Sequence, residues 1–156
     1  MERREFIALL GSAAAAIPAA AQAQPARTGR PFAERLVGTW GFVSSVDTRR
    51  DGSTFDRWGP DPKGVFMFDR AGHYSQIIVG SESRVFGGKT FCSFGTYTLD
   101  EGRRSFTTHI KGCSVSSLIG VTQVRSILVL TSSELKYTNL IVATGATATV
   151  LWKRLA

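Results

Sequence analysis

Residues 90–111 read TFCSFGTYTLDEGRRSFTTHIK, and this stretch contains the pattern that decides the fold. Aromatic and β-branched residues dominate both sides of a short polar segment, DEG at 100–102. Such runs are typical of β-strands, and a short polar connection that contains glycine is typical of a hairpin. The stretch therefore predicts two antiparallel strands, over 90–99 and 103–111.

The same strand signature continues in both directions from this hairpin. Residues 32–37 fit one short helical turn, but no amphipathic helix of useful length is present. Further strands are predicted over 39–47, 54–58, 64–69, 73–79, 121–131, 134–141 and 146–154. Strands joined in sequence by hairpins favour an up-and-down barrel over a sandwich, because a sandwich needs long crossover connections. We therefore predict an all-β fold, a single up-and-down antiparallel β-barrel of about eight to nine strands.

The N-terminus predicts export. A charged start that includes Arg3 and Arg4 is followed by a modest apolar stretch and an alanine-rich segment that ends at Ala23. This order of charged, apolar and small residues is typical of a cleavable signal peptide. The arginine pair followed by Phe6 resembles the twin-arginine export signal. We expect residues 1–23 to be this signal and the mature protein to be periplasmic or secreted.

An uncleaved membrane helix is the alternative for this segment. Residues 7–23 are mostly alanine and glycine and contain Pro18, whereas a spanning helix needs about 20 strongly apolar residues. We therefore expect no integral membrane segment after cleavage. Residues 24–35 are predicted to form a linker with the short helical turn, and residues 36–156 to form the barrel domain.

The chain carries a formal net charge of +7. Its arginine pairs, at 49–50 and 103–104, lie beside acidic and glycine residues in predicted hairpin turns. A nucleic-acid surface would instead interleave basic residues with exposed aromatic residues along one stripe. The charge pattern argues against a nucleic-acid partner and is compatible with weak attraction to acidic ligands.

Two short motifs lie at the ends of the predicted barrel. Gly38-Thr39-Trp40 begins the first strand, and Trp152-Lys153-Arg154 closes the last. This pairing resembles the lipocalin barrel, in which a Gly-x-Trp plugs the closed end and a basic residue of the last strand lies over the indole. The resemblance implies a contact between Trp40 and Arg154, which cation–π attraction would favour.

The middle of the chain extends the resemblance. From about residue 36 to residue 155 the sequence is similar to the bacterial and fungal lipocalin-like domain family, whose members are usually assigned hydrophobic-ligand binding by analogy. The matching segments are Asp51-Gly52, Gly59-Pro60-Asp61-Pro62-Lys63-Gly64, Asp69-Arg70-Ala71-Gly72, Gly95-Thr96-Tyr97-Thr98-Leu99-Asp100 and Gln123-Val124-Arg125. The resemblance implies the fold more strongly than the function.

A barrel of eight strands is just wide enough to be filled by side chains or to hold one small ligand. If Trp40 points inward and strand alternation holds, five further aromatic residues line the interior, namely Phe42, Phe66, Phe68, Tyr97 and Phe106. The sequence leaves a hollow and a filled interior equally open. A hollow interior predicts a small apolar or amphipathic ligand, and no cofactor is implied.

Three polar residues on neighbouring strands, His109, Gln123 and Arg125, are candidates for an interior polar site. A histidine near an arginine could act as a general base or bind a carboxylate or carbonyl. This set would serve ligand binding or, alternatively, a barrel enzyme of the cyclase, isomerase or hydratase type. A third possibility is a filled barrel that acts as an envelope interaction module.

Other catalytic signals are weak. The two histidines, His73 and His109, lie far apart in sequence, and no ligand spacing for a metal is present. No Gly-x-Ser-x-Gly elbow is found, so the sequence contains no complete catalytic constellation and leaves enzymatic activity undecided.

Cys92 and Cys113 are the two cysteines of the chain. An even number of cysteines in an exported protein favours a disulfide. The hairpin around Glu101-Gly102 places the two residues across from each other if one bulge is allowed. We therefore predict a Cys92–Cys113 disulfide, and two buried free thiols are the alternative.

Overall fold

The computed structural model of the protein describes residues 30–81, 88–142 and 144–156. The predicted signal, residues 1–23, and the first half of the predicted linker, residues 24–29, lie outside the described residues, so the expectation of export stays a prediction. Within the described ranges, no helix has both the length and the apolar character needed to cross a membrane.

The described residues are almost entirely β-structure. One helical turn, α1 (Phe32–Leu36), precedes strands β1 (Gly38–Thr48), β2 (Thr54–Phe55), β3 (Lys63–Phe68), β4 (His73–Val79), β5 (Thr90–Asp100), β6 (Ser105–Cys113), β7 (Thr122–Leu130), β8 (Glu134–Ile141) and β9 (Ala146–Arg154). These bounds agree with the predicted strands to within a few residues. The exception is β2, which is shorter than predicted because the chain turns at Asp56, whose carboxylate accepts a hydrogen bond from the Trp58 N–H at 2.8 Å.

Antiparallel pairing runs from β3 through to β9, and β1 pairs with both β3 and β9. This last pairing closes the sheet into an eight-stranded barrel, with the two-residue β2 added beside β1. Closure removes the free sheet edges that would otherwise invite pairing with another chain. The predicted all-β antiparallel barrel is therefore confirmed.

Strand alternation decides which side chains lie inside. On β4, Tyr74, Gln76 and Ile78 are buried, whereas the alternate residues His73, Ile77 and Val79 are exposed. Successive side chains of a strand point to opposite faces of the sheet, so one side of each strand faces the interior.

Three bulges shift this alternation, on β1, on β6 and on β7, where Leu128 is the extra residue between Ile127 and Val129. On β1, Phe42 pairs with Trp152 and Ser44 pairs with Leu151, so one extra residue, Val43, lies between them. A bulge adds one residue to one strand and reverses the inward phase beyond it. On β5 and β6 the register likewise shifts beyond Gly95, where Lys111 is the extra residue.

The end of the barrel next to α1 is filled. Trp40 and Leu36 are completely buried there, and the indole N–H of Trp40 donates to the Leu36 carbonyl at 2.9 Å. Arg154 lies over the Trp40 ring, with its guanidinium carbon 4.2 Å from the ring centroid. The contact that the resemblance implies between these two residues is present.

Candidate functional site

The barrel interior beyond the buried Trp40 and Leu36 is divided into two halves. The half next to Trp40 is a packed aromatic core centred on Phe66, whose ring lies 4.2 Å from that of Phe68, 5.3 Å from that of Trp152 and 6.1 Å from that of Phe106, centroid to centroid. Aromatic rings at these separations and tilts fill space without leaving room for a ligand. The barrel is therefore filled at its closed end.

The other half contains a chamber of about 70 Å³. Apolar side chains surround its mouth, where Trp58 comes from the β2–β3 connection and Leu118 from the 3-10 turn Ser116–Leu118. The remaining apolar lining residues are Ile78, Phe91, Ala148 and Val150. The chamber lies at the end of the barrel opposite Trp40, because it is bordered by the first residues of β5, β7 and β9 and by the last ones of β4.

Polar side chains face the same chamber. They are Ser45, Arg57, Gln76, Gln123, Arg125 and Asn139, together with Tyr137. A concave apolar site with a few converging polar groups is the usual form of a small-molecule site, in which the polar groups fix the orientation of the ligand. The chamber is accordingly the candidate functional site.

Arg125 is the central polar residue of the chamber. Only 4% of it is exposed, and its guanidinium donates to Thr108 Oγ1 and, at 2.9 Å, to Gln123 Oε1. Its Nε atom is buried and has no hydrogen-bond partner. Among the described residues, no carboxylate forms an ion pair with it. Arg125 thus carries a positive charge inside the barrel, and its hydrogen-bond partners there are uncharged.

Three rings lie against this guanidinium. Its central carbon is 5.6 Å from the ring centroid of Phe106, 5.7 Å from that of Tyr137 and 5.9 Å from that of Phe66. Cation–π attraction offsets part of the cost of burying the charge. Burial also raises the pKa of the Tyr137 hydroxyl, an effect that the nearby Arg125 charge opposes. Tyr137 is therefore a neutral hydroxyl at neutral pH.

A second buried arginine borders the chamber, but it is paired. Arg57 forms an ion pair with Asp47, and the Asp47 side chain is only 1% exposed. Asp47 lies inside the barrel because the β1 bulge at Val43 moves Ser45 and Asp47 into the inward phase. A buried ion pair needs both partners, so this one contributes no net charge to the chamber.

The structure places the predicted aromatic ligand residues outside the chamber lining. Phe66, Phe68 and Phe106 belong to the packed core. Phe42 packs between the rings of Trp152, at 5.1 Å, and Trp58, at 6.4 Å. Tyr97, half-buried, packs edge-on against Phe68, and its hydroxyl donates to the Asp69 carbonyl. None of these five residues is part of the chamber lining, so their predicted role in ligand binding stays a prediction.

The predicted polar set is only partly brought together. Gln123 and Arg125 lie inside and are hydrogen-bonded to each other. His109 is exposed on the outer face, where its Nδ1 atom lies 2.6 Å from Thr122 Oγ1. The inclusion of His109 in the interior site is wrong, because Thr108 and Ile110 take the inward positions of β6. An enzyme that uses His109 together with Arg125 loses its geometric basis.

Cys92 and Cys113 are free in the structure, so the predicted disulfide is not formed there. The bulge at Lys111 places Cys113 opposite Ser93 and not opposite Cys92. Neighbouring positions on β5 face opposite sides of the sheet, so Cys113 packs against the core with Ser93, whereas Cys92 pairs across the ladder with the exposed Ile77. Disulfide geometry is too narrow to bridge opposite faces without backbone movement.

Several chamber residues were not predicted from the sequence. Gln76 could have been found because it shares one face of β4 with Tyr74 and Ile78, and Trp58 because it lies beside a rigid turn. Asp47 and Ser45 carry no such signal, since a bulge that depends on pairing with β9 decides their orientation. Within the described ranges, no group of three or more His, Cys, Asp or Glu side chains is placed to hold a metal ion.

The fold and the chamber define a closed antiparallel barrel with a small interior site. Residues 85–155 match the model of the family described as the lipocalin-like domain, which supports a lipocalin-like assignment for this part of the chain. No curated protein matches the sequence at a significant level.

Two solved β-barrels are among the structures to which this chain is similar. A redesigned β-barrel is 18% identical, with 80% of this chain and 95% of that chain covered and a TM-score of 0.48. A bovine odorant-binding protein in complex with a selenium-containing odorant is also 18% identical, with 86% of this chain and 78% of that chain covered and a TM-score of 0.46. At such identities the likeness concerns the barrel alone.

Proposed function

We propose that this chain is an exported lipocalin-like barrel that binds a small amphipathic molecule in the chamber. The observation that carries the proposal is that the chamber is bordered by buried polar atoms without a hydrogen-bond partner, among them Arg125 Nε, Arg57 Nε and Gln76 Oε1. An unsatisfied buried polar group costs about 1–3 kcal/mol. A ligand or water that supplies the missing partners recovers that cost, and the apolar mouth favours a ligand that also has an apolar part.

The size of the chamber limits what fits inside it. An engineered cavity of about 150 Å³ holds benzene, whereas this chamber measures about 70 Å³. It therefore accommodates the polar head of a ligand, with the apolar remainder lying in the mouth between Trp58 and Leu118. Larger ligands would have to displace those two side chains.

A dye-binding measurement tests this function. N-phenyl-1-naphthylamine is neutral and apolar, and its emission rises when it leaves water. We expect it to bind the native protein and to be displaced by small amphipathic molecules. Ala148→Phe places a ring in the chamber and should abolish binding, whereas Thr147→Phe places the same ring on the outer face of the same strand and should leave binding intact.

Val150→Phe provides a second filled variant in case Ala148→Phe fails to fold, which thermal unfolding would reveal. Absence of binding to the native protein both of the dye and, by calorimetry, of small amphipathic molecules such as octanoate and 1-octanol would contradict the proposed function. Equal binding by the filled variants and by Thr147→Phe would contradict it too, because the dye would then occupy the outer surface.

Export is the second part of the proposal, and it is supported by Arg3-Arg4 and the following alanine-rich stretch. Replacement of both arginines by lysine should retain the protein in the cytoplasm, since the twin-arginine signal is read by a receptor. Fractionation followed by mass analysis of the N-terminus measures this. Normal processing of the double-lysine form would assign the protein to a different export route.

A further inference from the structure

The charges buried in the barrel do not balance. Over the described residues, the buried side chains that carry a charge at neutral pH are Asp47, Arg57 and Arg125. The first two form an ion pair, which leaves Arg125 as one uncompensated positive charge. An isolated buried charge is costly unless a partner of opposite sign approaches it. The chamber beside Arg125 is the space in which such a partner can lie.

We infer that the chamber binds the carboxylate of a small apolar monocarboxylic acid against Arg125, with the apolar chain in the mouth. This inference rests on the proposed function and specifies its ligand class. One buried positive charge matches one negative charge. A phosphate monoester carries about two charges at neutral pH and would leave one unpaired.

The free donors fit this headgroup. A guanidinium has five N–H donors, and the side-chain acceptors Thr108 and Gln123 each take one from Arg125. Its Nε–H has no acceptor. The planar guanidinium fork matches a carboxylate and binds it through two parallel hydrogen bonds. Of the two buried arginines in the described part of the chain, Arg57 has an ion pair and Arg125 has none. The geometry therefore leaves Arg125 available for a charge-assisted hydrogen bond to a ligand.

A second donor lies close by. The Tyr137 hydroxyl accepts a hydrogen bond from the Trp152 indole N–H at 3.3 Å. Its own proton is therefore directed away from that indole, and Tyr137 borders the chamber. The Gln76 side chain, which borders the chamber too, presents an amide that can donate to the other carboxylate oxygen.

The apolar part of the ligand can pack against the apolar side chains at the mouth of the chamber. The side chains of Trp58, Ile78, Phe91 and Leu118 surround the chamber on its open side. A chain of methylene groups gains about 0.8 kcal/mol for each one buried among such side chains. Arg125 lies on the core side of the chamber, against the rings of Phe66 and Phe106, so a ligand with its charge at one end can meet Arg125 and keep its apolar part at the open side.

Calorimetric titration with octanoate and with 1-octanol tests the inference, because the two probes differ in the headgroup alone. We expect octanoate to bind more tightly. Arg125→Met should weaken octanoate binding by about 10- to 100-fold, as expected for loss of a hydrogen bond to a charged group, and should leave octanol binding unchanged. Arg125→Lys keeps the charge and should retain part of the affinity.

Arg103→Met is the matched control, since it removes the same charge from an exposed turn and should leave octanoate binding unchanged. If Arg125→Met fails to fold, octanoate labelled with 13C at the carboxyl group should show a magnetisation transfer to the Arg125 Nε–H in the native protein. Equal affinities for octanoate and octanol, both insensitive to Arg125→Met, would overturn the carboxylate site and leave the proposed function standing. Failure of octanoate, octanol and the naphthylamine dye alike would overturn both.

Discussion

Arg154 and Trp40 join the last and the first strand at the closed end of the barrel. The guanidinium covers the indole at 4.2 Å and also donates to the carbonyls of Val37, at 2.9 Å, and Ser132, at 2.6 Å. It further donates to the Arg35 carbonyl. One side chain of β9 thus holds together α1, β1 and the β7–β8 turn. Its removal should therefore lower the stability by more than the loss of the stacking contact alone.

A double-mutant cycle on this pair measures their coupling. Trp40→Ala removes a fully buried ring and should lower the free energy of unfolding by about 3–5 kcal/mol. Arg154→Ala should cost about 2–4 kcal/mol, because it loses hydrogen bonds to four carbonyls, those of Arg35, Val37, Ser132 and Ala156, as well as the stacking. The double mutant should be destabilised by less than the sum, by at least about 0.5 kcal/mol, since residues in contact couple. Chemical denaturation of the four proteins measures it.

Strict additivity would show that the two residues do not contact each other in solution. Arg103→Ala, in an exposed turn, is the control and should be additive with Trp40→Ala to within about 0.5 kcal/mol.

The strands and their closure could be predicted from sequence because they rest on local signals. Alternation, turn residues and the terminal Gly-x-Trp all lie within short stretches. Alternation also separates Phe106 from His109, because residues three positions apart on one regular strand face opposite sides of the sheet. A prediction that puts both side chains inside the barrel therefore conflicts with the alternation on which it depends.

The chamber could not be predicted in the same way. Its polar residue Ser45, and Asp47 beyond it, face inward because Val43 is extruded from the β1–β9 ladder, and a ladder register is a property of two strands. Which half of the barrel is filled depends on the summed volumes of side chains from all strands. Gln123 and Arg125 face the chamber because β7 keeps its alternation up to Ile127, and their role in ligand binding stays a prediction.

Replacement of Arg125 by methionine should stabilise the ligand-free protein. Methionine has a similar length and removes an uncompensated buried charge, so the free energy of unfolding should rise by about 1–3 kcal/mol. Urea denaturation measures the change, and Arg103→Met should remain within about 0.5 kcal/mol of the native protein. A loss of stability would show that the hydrogen bonds and ring contacts of Arg125 already compensate its charge.

Gly95→Ala tests the bulge between β5 and β6. A Cβ atom at Gly95 would collide with the backbone carbonyl of His109, which cannot move without breaking the ladder. We expect a loss of about 3 kcal/mol in the free energy of unfolding, the cost of a severe overpacking. Gly102→Ala, where a Cβ would meet nothing closer than 3.5 Å, is the matched control and should change little. Similar stability of the two variants would contradict the close approach of these strands.

The thiols test the same register by chemistry. With Lys111 extruded, Cys92 and Cys113 lie on opposite faces of the sheet, so protein purified without reductant should contain two alkylatable thiols. Cys113 should react with iodoacetamide more slowly than a cysteine of ordinary pKa, because burial raises the pKa of its thiol and lowers the fraction present as thiolate. Its rate should therefore keep rising as the pH is raised above 8.5, the pKa of an ordinary thiol.

Mass analysis after alkylation distinguishes the alternatives, with Cys92→Ser and Cys113→Ser identifying each site. A native mass lower by two hydrogens, with no labelling, would mean that the two sulfur atoms meet. That result would require the ladder to continue unbulged from Gly95, with Cys92 directly opposite Cys113, because the present register puts Ser93 in that position. Gly95→Ala would then be tolerated as well, so the two measurements have to agree.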